Sequence, residues 1–416
     1  MNQIINSHNT HSLDRWLALA LISLLLANGL AVLLIVFKLP LFSFLSAQTL
    51  FKSVLAYHVN LAMVFWMPSV ACWFWGYYFN VSKARLNRAF YTSLVAFLFF
   101  ACSLIDFQRD TSLSNYYPIL HSKLFLFSLI MQVVAVTFLV VEIVCCKSEE
   151  KAKLYLAKVA AFVWLILVLS IIGNLLQVPV NFTLEGSFEK FLWAPGHIQQ
   201  TVNGLMISAM WACFLKDENV SPIMRLSAWA AAGSCIAAVL GQFFITDELI
   251  KRQIFTWQMS FFSWLPLAVV AWCLIKNRLA NIYVGLSLGL ALLGIFVGMI
   301  ISPGTLSIPG HYHGMTGAFN LAIFSILLKN SCQKHSSKLT LLYGSGIIML
   351  IMGLTWAGLL GVGRKLVAEQ QGVLSFWQTS SLTLIAIGAL LAIVTSLLVV
   401  KSFFPKLSNL RYQEDK

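Results

Sequence analysis

The chain has little charge. Of its 416 residues, 10% are Asp, Glu, Lys or Arg, against 59% that are hydrophobic. A water-soluble protein of this length would aggregate with such a surface, so the solvent must be lipid. The chain also lacks a C-x-x-C motif among its eight cysteines. That absence excludes a thiol zinc site, a redox dithiol and a covalently attached c-type haem. Several cysteines lie inside apolar runs (Cys72, Cys102, Cys213, Cys235, Cys273) and read as small apolar packers. No Gly-rich phosphate loop and no internal repeat is evident. Acidic residues are nearly missing from the apolar runs; Asp106 and Glu142 fall near the ends of theirs.

What is abundant is apolar length. A bilayer-crossing helix needs ~20 apolar residues. Twelve runs qualify, near 16–37, 53–79, 89–106, 119–146, 155–178, 190–215, 223–245, 254–275, 280–302, 309–329, 339–361 and 377–403. Unbroken apolarity at this length favours helices over strands. The expectation is an all-α membrane protein, a twelve-helix transmembrane bundle in a single polytopic domain over 1–416, surrounded by lipid. The polar stretch before the first run has no basic n-region or cleavage site, so no cleaved signal peptide is expected.

The net charge of +13 does not point to nucleic acid. The basic residues sit in short loops, where they set topology. The two ends and the loops after even-numbered spans hold about twice as many Lys and Arg as the other loops. Both termini are therefore expected in the cytoplasm. Even-numbered spans then run from outside to inside.

Eight histidines are present. His8, His11 and His335 fall in polar segments. His58, His121, His197, His311 and His313 fall in spans two, four, six and ten, each near the outer start of its span. A single intramembrane histidine reads as a hydrogen-bonded interior residue. Several at one level read better as a metal or haem layer, because neutral imidazole suits iron, copper and zinc. His311 and His313 are about 200° apart around a helix. They face opposite sides and can ligate two cofactors rather than grip one metal.

These motifs resemble subunit I of the haem–copper oxidases, the family of cytochrome c oxidase and nitric oxide reductase. "AYHVNLAMVFWMP" supplies His58 and "IPGHYHGMTGAFN" supplies His311 and His313. The resemblance implies a low-spin haem between His58 and His313. It implies a second, high-spin haem on His311, open on its far side. "WAPGHIQQTVNG" is similar to the span-six motif, which makes His197 a copper ligand. "GVGRKL" offers Arg364 and Lys365 as partners of the haem propionates; ordinary interfacial anchoring is the competing reading. Two haems of unspecified type, an electron donor of the cytochrome c or quinol type, further oxidase-type subunits and a bacterial inner-membrane location follow from the same resemblance.

The chain departs from the family at the copper. The adjacent His-His pair is replaced by Trp257-Gln258, or in another alignment by Asp247-Glu248. Copper held by histidines would keep His197 alone, too few ligands for tight binding. The family tyrosine four residues after His197 is Thr201. His121 lies outside the usual ligand set and reads as an interfacial histidine or a substitute ligand. Three functions stay open: an oxidase-like enzyme reducing oxygen or NO, a non-catalytic di-haem relative (electron transfer, gas sensing, or haem and copper assembly), and a haem-free twelve-span transporter.

Overall fold

The computed structural model of the chain describes residues 10–45, 48–79, 81–146, 151–177, 186–216, 222–279, 281–329 and 336–409. His8 and His335 lie outside the described residues. Helices dominate, because a backbone in lipid must satisfy its own polar groups. In chain order they are α1 (Thr10–Lys38), α2 (Gln48–Asn60), α3 (Met67–Tyr78), α4 (Lys83–Cys102), α5 (Lys123–Cys145), α6 (Ala152–Gln177) and α7 (Ser187–Ala212). Then come α8 (Pro222–Phe244), α9 (Glu248–Phe262), α10 (Leu265–Lys276), α11 (Ile282–Met299), α12 (Ser307–Lys329), α13 (Ser336–Leu359) and α14 (Phe376–Asn409). A short antiparallel pair, β1 (Thr111–Ser112) with β2 (Ile119–Leu120), precedes α5.

Each of the twelve apolar runs coincides with a helix or a broken helix. Among the described residues, ten helices are long and apolar enough to cross a membrane. The helices at the sixth and tenth runs, α7 and α12, are not among the ten. Both are more polar, and they carry His197, His311 and His313. Their polarity is sheltered: α7 is buried along nearly its whole length from Ala194 onward. A helix wrapped by protein needs no lipid-compatible surface.

Two spans are broken in a way the sequence explains. Between α2 and α3 runs a π-helical segment, Leu61–Trp66, followed by Pro68. Proline has no N–H and its ring crowds the carbonyl four residues back, so the wider turn relieves the clash. The carbonyl of Met63, inside that segment, accepts from Gln199 Nε2 at 2.9 Å. The eighth run is split at Ser263–Trp264, with Pro266 opening α10. Caps are provided by Ser122 for α5, Asp247 for α9 and Asn281 for α11.

The chain divides into two compact units: Met1–Ser23 with Val59–Leu279, and Leu24–His58 with Ala280–Lys416. In the first, α6 packs on α7 and α8, and α4 packs on α5. Pro195 lies inside α7 and leaves the Phe191 carbonyl without its helical donor. Asn174 of α6 fills that gap, donating Nδ2 to Phe191 O at 2.5 Å. Asn174 is itself held by Gln242 Nε2 at 2.6 Å. An Asn174→Leu protein is expected to lose about 1–3 kcal/mol, the cost of a buried orphan carbonyl. Thermal unfolding of the purified protein in detergent measures the loss.

In the second unit α11 packs on α12, α12 on α13 and α13 on α14. Glycine sets the closest approach. A Cβ on Gly314 would lie 2.4 Å from the Gly294 Cα, so α11 and α12 touch backbone to backbone.

Candidate haem-ligating histidines

The second unit brings three of the site residues together. His58 sits on α2, three residues before the π-helical segment begins at Leu61. His311 and His313 sit in the first turns of α12. All three are half-buried.

Their hydrogen bonds follow one plan. His58 Nδ1 lies 2.9 Å from Ala27 O. His311 Nδ1 lies 2.7 Å from Gly294 O, and His313 Nδ1 lies 2.7 Å from Pro309 O. A carbonyl oxygen can only accept, so each Nδ1 carries the proton. Each Nε2 therefore presents a lone pair. No described residue hydrogen-bonds any of these three Nε2 atoms. An imidazole fixed through Nδ1 to a backbone carbonyl is the arrangement that orients a metal-ligating histidine. The donor set thus fits axial ligation of haem iron, which needs one imidazole per face.

The His311 tether depends on glycine. Gly294 supplies the accepting carbonyl, and a Cβ on Gly298 would lie 2.8 Å from His311 Nδ1. The two glycines are four residues apart on α11 and share a face. Sequence reading passed over them, although the small-residue spacing in "GLALLGIFVG" carried the signal.

Arg364 and Lys365 lie in the loop between α13 and α14. That loop is bound to the turn that leads into α12. Arg364 N donates to Gly304 O at 3.1 Å, and Leu306 N donates to Val362 O at 3.0 Å. Thr305 and Gly363 form an antiparallel bridge. The basic pair is thereby fixed beside the start of the histidine-bearing helix.

His197 belongs to the first unit, on α7, and is 1% exposed. It repeats the tether: Nδ1 lies 2.8 Å from Trp193 O. Its ring lies 4.8 Å from the Trp193 ring and 5.0 Å from the Tyr116 ring. Thr256 Oγ1 is 3.5 Å from its Nε2. A Cβ on Gly196 would collide with the Tyr116 ring at 2.3 Å, so glycine is what lets Tyr116 cover the site.

The residues at the missing copper-ligand positions are engaged elsewhere. Trp257 is exposed, and Gln258 is buried with Nε2 within reach of Thr201 Oγ1 (3.1 Å) and Cys235 Sγ (3.2 Å). Thr201 in turn bonds Ser263 at 2.5 Å. Asp247 spends its carboxylate on the N–H groups of Leu249 and Ile250. Glu248 pairs with Lys251 at 2.9 Å. Among the described residues, no group of three or more His, Cys, Asp or Glu is placed to hold a metal ion by itself.

His121 departs from expectation. It lies outside any helix, between β2 and α5, where the sequence reading had put it inside the fourth span. Its Nε2 is 2.8 Å from Ser112 Oγ, across the β-pair. His58, His311 and His313 have no hydrogen bond at Nε2 from the described residues, whereas His121 uses its Nε2 to close a hairpin. His58 and His197 also lie about three turns into their helices, deeper than expected, because α2 and α7 begin earlier than the apolar runs did.

No family model matches the chain. It is 24% identical over 519 residues to the uncharacterized protein RP382 of Rickettsia prowazekii (strain Madrid E), with 99% of this chain and 100% of that protein covered. Among solved structures it is similar to a haem–copper terminal oxidase dimer determined by cryo-electron microscopy. That likeness has a TM-score of 0.75 at 15% identity, over 97% of this chain and 84% of the other. The chain is an all-α membrane protein with the fold of the haem–copper terminal oxidases.

Proposed function

We propose that the chain is a di-haem membrane protein that transfers electrons and binds a diatomic gas. The observation that carries this reading is the shared tether of His58, His311 and His313, each held by Nδ1 with Nε2 left for a ligand. His58 and His313 would hold one haem, and His311 would hold the other. Arg364 and Lys365 neutralise haem carboxylates. When bound, haem supplies a one-electron couple and, on the one-sided iron, a place for a gas ligand. The chain's own work is to fix each imidazole's tautomer and direction.

His197 is not read as a copper ligand. It has an aromatic enclosure, and among the described residues no group of three or more His, Cys, Asp or Glu is placed to hold a metal ion. Proton supply also bears on the reaction. Among the described residues, none of the fully buried polar side chains is Asp, Glu, Lys or Arg. Oxygen reduction consumes protons, and the usual carriers inside a membrane are such groups. The reading therefore favours electron transfer and gas binding over turnover of oxygen or NO. The excess of Lys and Arg in the two ends taken together with the loops after even-numbered spans supports cytoplasmic termini, and the resemblance supports a bacterial inner membrane. A cytochrome c or quinol would donate the electrons, with further oxidase-type subunits as neighbours.

The test is a carbon monoxide difference spectrum with an oxygen-uptake assay on the same purified protein. The expected result is a carbon monoxide complex on reduction, with oxygen uptake at background. Sustained uptake with a reduced donor would restore the oxidase reading. A reduced protein that binds no carbon monoxide would remove the gas site.

A further inference from the structure

Lys38, the last residue of α1, has no role in the haem reading so far. Its Nζ donates to Gly363 O at 2.8 Å, to Arg364 O at 3.0 Å and to Leu366 O. An ammonium has three N–H donors, and all three are used. Gln48 at the start of α2 donates Nε2 to Lys365 O at 3.0 Å. Four successive carbonyls, 363 to 366, are thus held by two side chains. The Phe51 ring lies 5.1 Å from Nζ and covers a further side of the ammonium.

Among the described residues, no carboxylate pairs with Lys38. A cation enclosed without a counter-charge is costly unless the surrounding dipoles are arranged for it. Here they are the carbonyls of the segment that bears Arg364 and Lys365. The other edge of that segment is tied to the turn before α12, through Gly304, Thr305 and Leu306. Lys38 and Gln48 therefore join the ends of α1 and α2 to the segment, and the segment to the helix of His311 and His313. Haem brings two carboxylates of its own. Arg364 and Lys365, the two cationic residues of that segment, suit an anion of that kind.

We propose that Lys38 is a positioning residue: it holds the 360–371 segment so that Arg364 and Lys365 meet the haem carboxylates. This rests on the haem reading, and the test separates the two. Full-length protein and its Lys38→Met, Lys38→Arg and Gln48→Leu variants are compared by hydrogen exchange over residues 360–371 and by the midpoint potential of the low-spin haem. Lys38→Met is expected to raise exchange in the segment by about tenfold or more, as local opening becomes easier. It is also expected to lower the potential, because less positive charge then opposes the ferric state. Lys38→Arg restores both in part. Gln48→Leu changes no charge, so a smaller rise in exchange with a smaller fall in potential reports position alone. A lower potential with unchanged exchange in Lys38→Met would overturn the proposal, since charge alone would then account for it. Unchanged exchange in both Lys38→Met and Gln48→Leu would overturn it as well. If the wild-type protein carries no haem and Lys38→Met still loosens the segment, the haem reading falls and the anchoring stands.

Discussion

Replacing His313 with alanine should abolish the low-spin haem spectrum while the protein still folds. His313 is tethered within its own helix, Nδ1 to Pro309 O, so its loss breaks no hydrogen bond between helices. A six-coordinate low-spin iron needs both imidazoles. His58→Ala should therefore give the same spectral loss, although its tether runs to a different helix, at Ala27 O. His311→Ala should do the reverse. It should remove carbon monoxide binding and leave the low-spin bands, because His311 faces the other side of α12. Reduced-minus-oxidised and carbon monoxide difference spectra of the three variants give a pattern that general destabilisation would not. Imidazole added to a His313→Gly protein should restore the low-spin bands.

A Gly314→Ala protein should lose stability and, with it, the His311 site. The new Cβ would lie 2.4 Å from Gly294 Cα and 2.8 Å from Gly294 N. Those are backbone atoms and cannot swing aside, so α11 and α12 must separate. Overpacking of this kind costs about 1–3 kcal/mol. Separation also draws the Gly294 carbonyl away from His311 Nδ1, now 2.7 Å apart. The ring then loses its tether. His313 keeps its own, because Pro309 is on the same helix. The expected outcome is a lower unfolding temperature and weaker carbon monoxide binding, with the low-spin bands retained. Equal loss of both haem signals would show that the glycine contact supports the whole unit rather than the His311 ring.

Much of this could be read from the chain in advance, and particular residues show why. Apolar length located the ten helices that, among the described residues, are long and apolar enough to cross a membrane, since lipid leaves the backbone no other choice. The H-x-H pair predicted opposite faces from helical geometry alone, and both histidines lie on α12. The depth of His58 and His197 was misjudged because polar first turns, such as Gln48-Thr49, belong to the helices but not to the apolar runs. His121 was misplaced for the related reason that a β-pair ends beside it. Tertiary pairing is where local patterns stop. Nothing near Lys38 in sequence announces three carbonyls from residues 363–366, and nothing near Asn174 announces the carbonyl freed by Pro195.

The most direct test of the account is a haem and metal count on the purified protein. Extracted haem, measured against protein, should give two haems per chain, with copper well below one per chain. The oxidised spectrum should show one low-spin and one high-spin iron. Protein that is fully folded and contains no haem would contradict the account at its centre, because the three tethered histidines would then serve some other end.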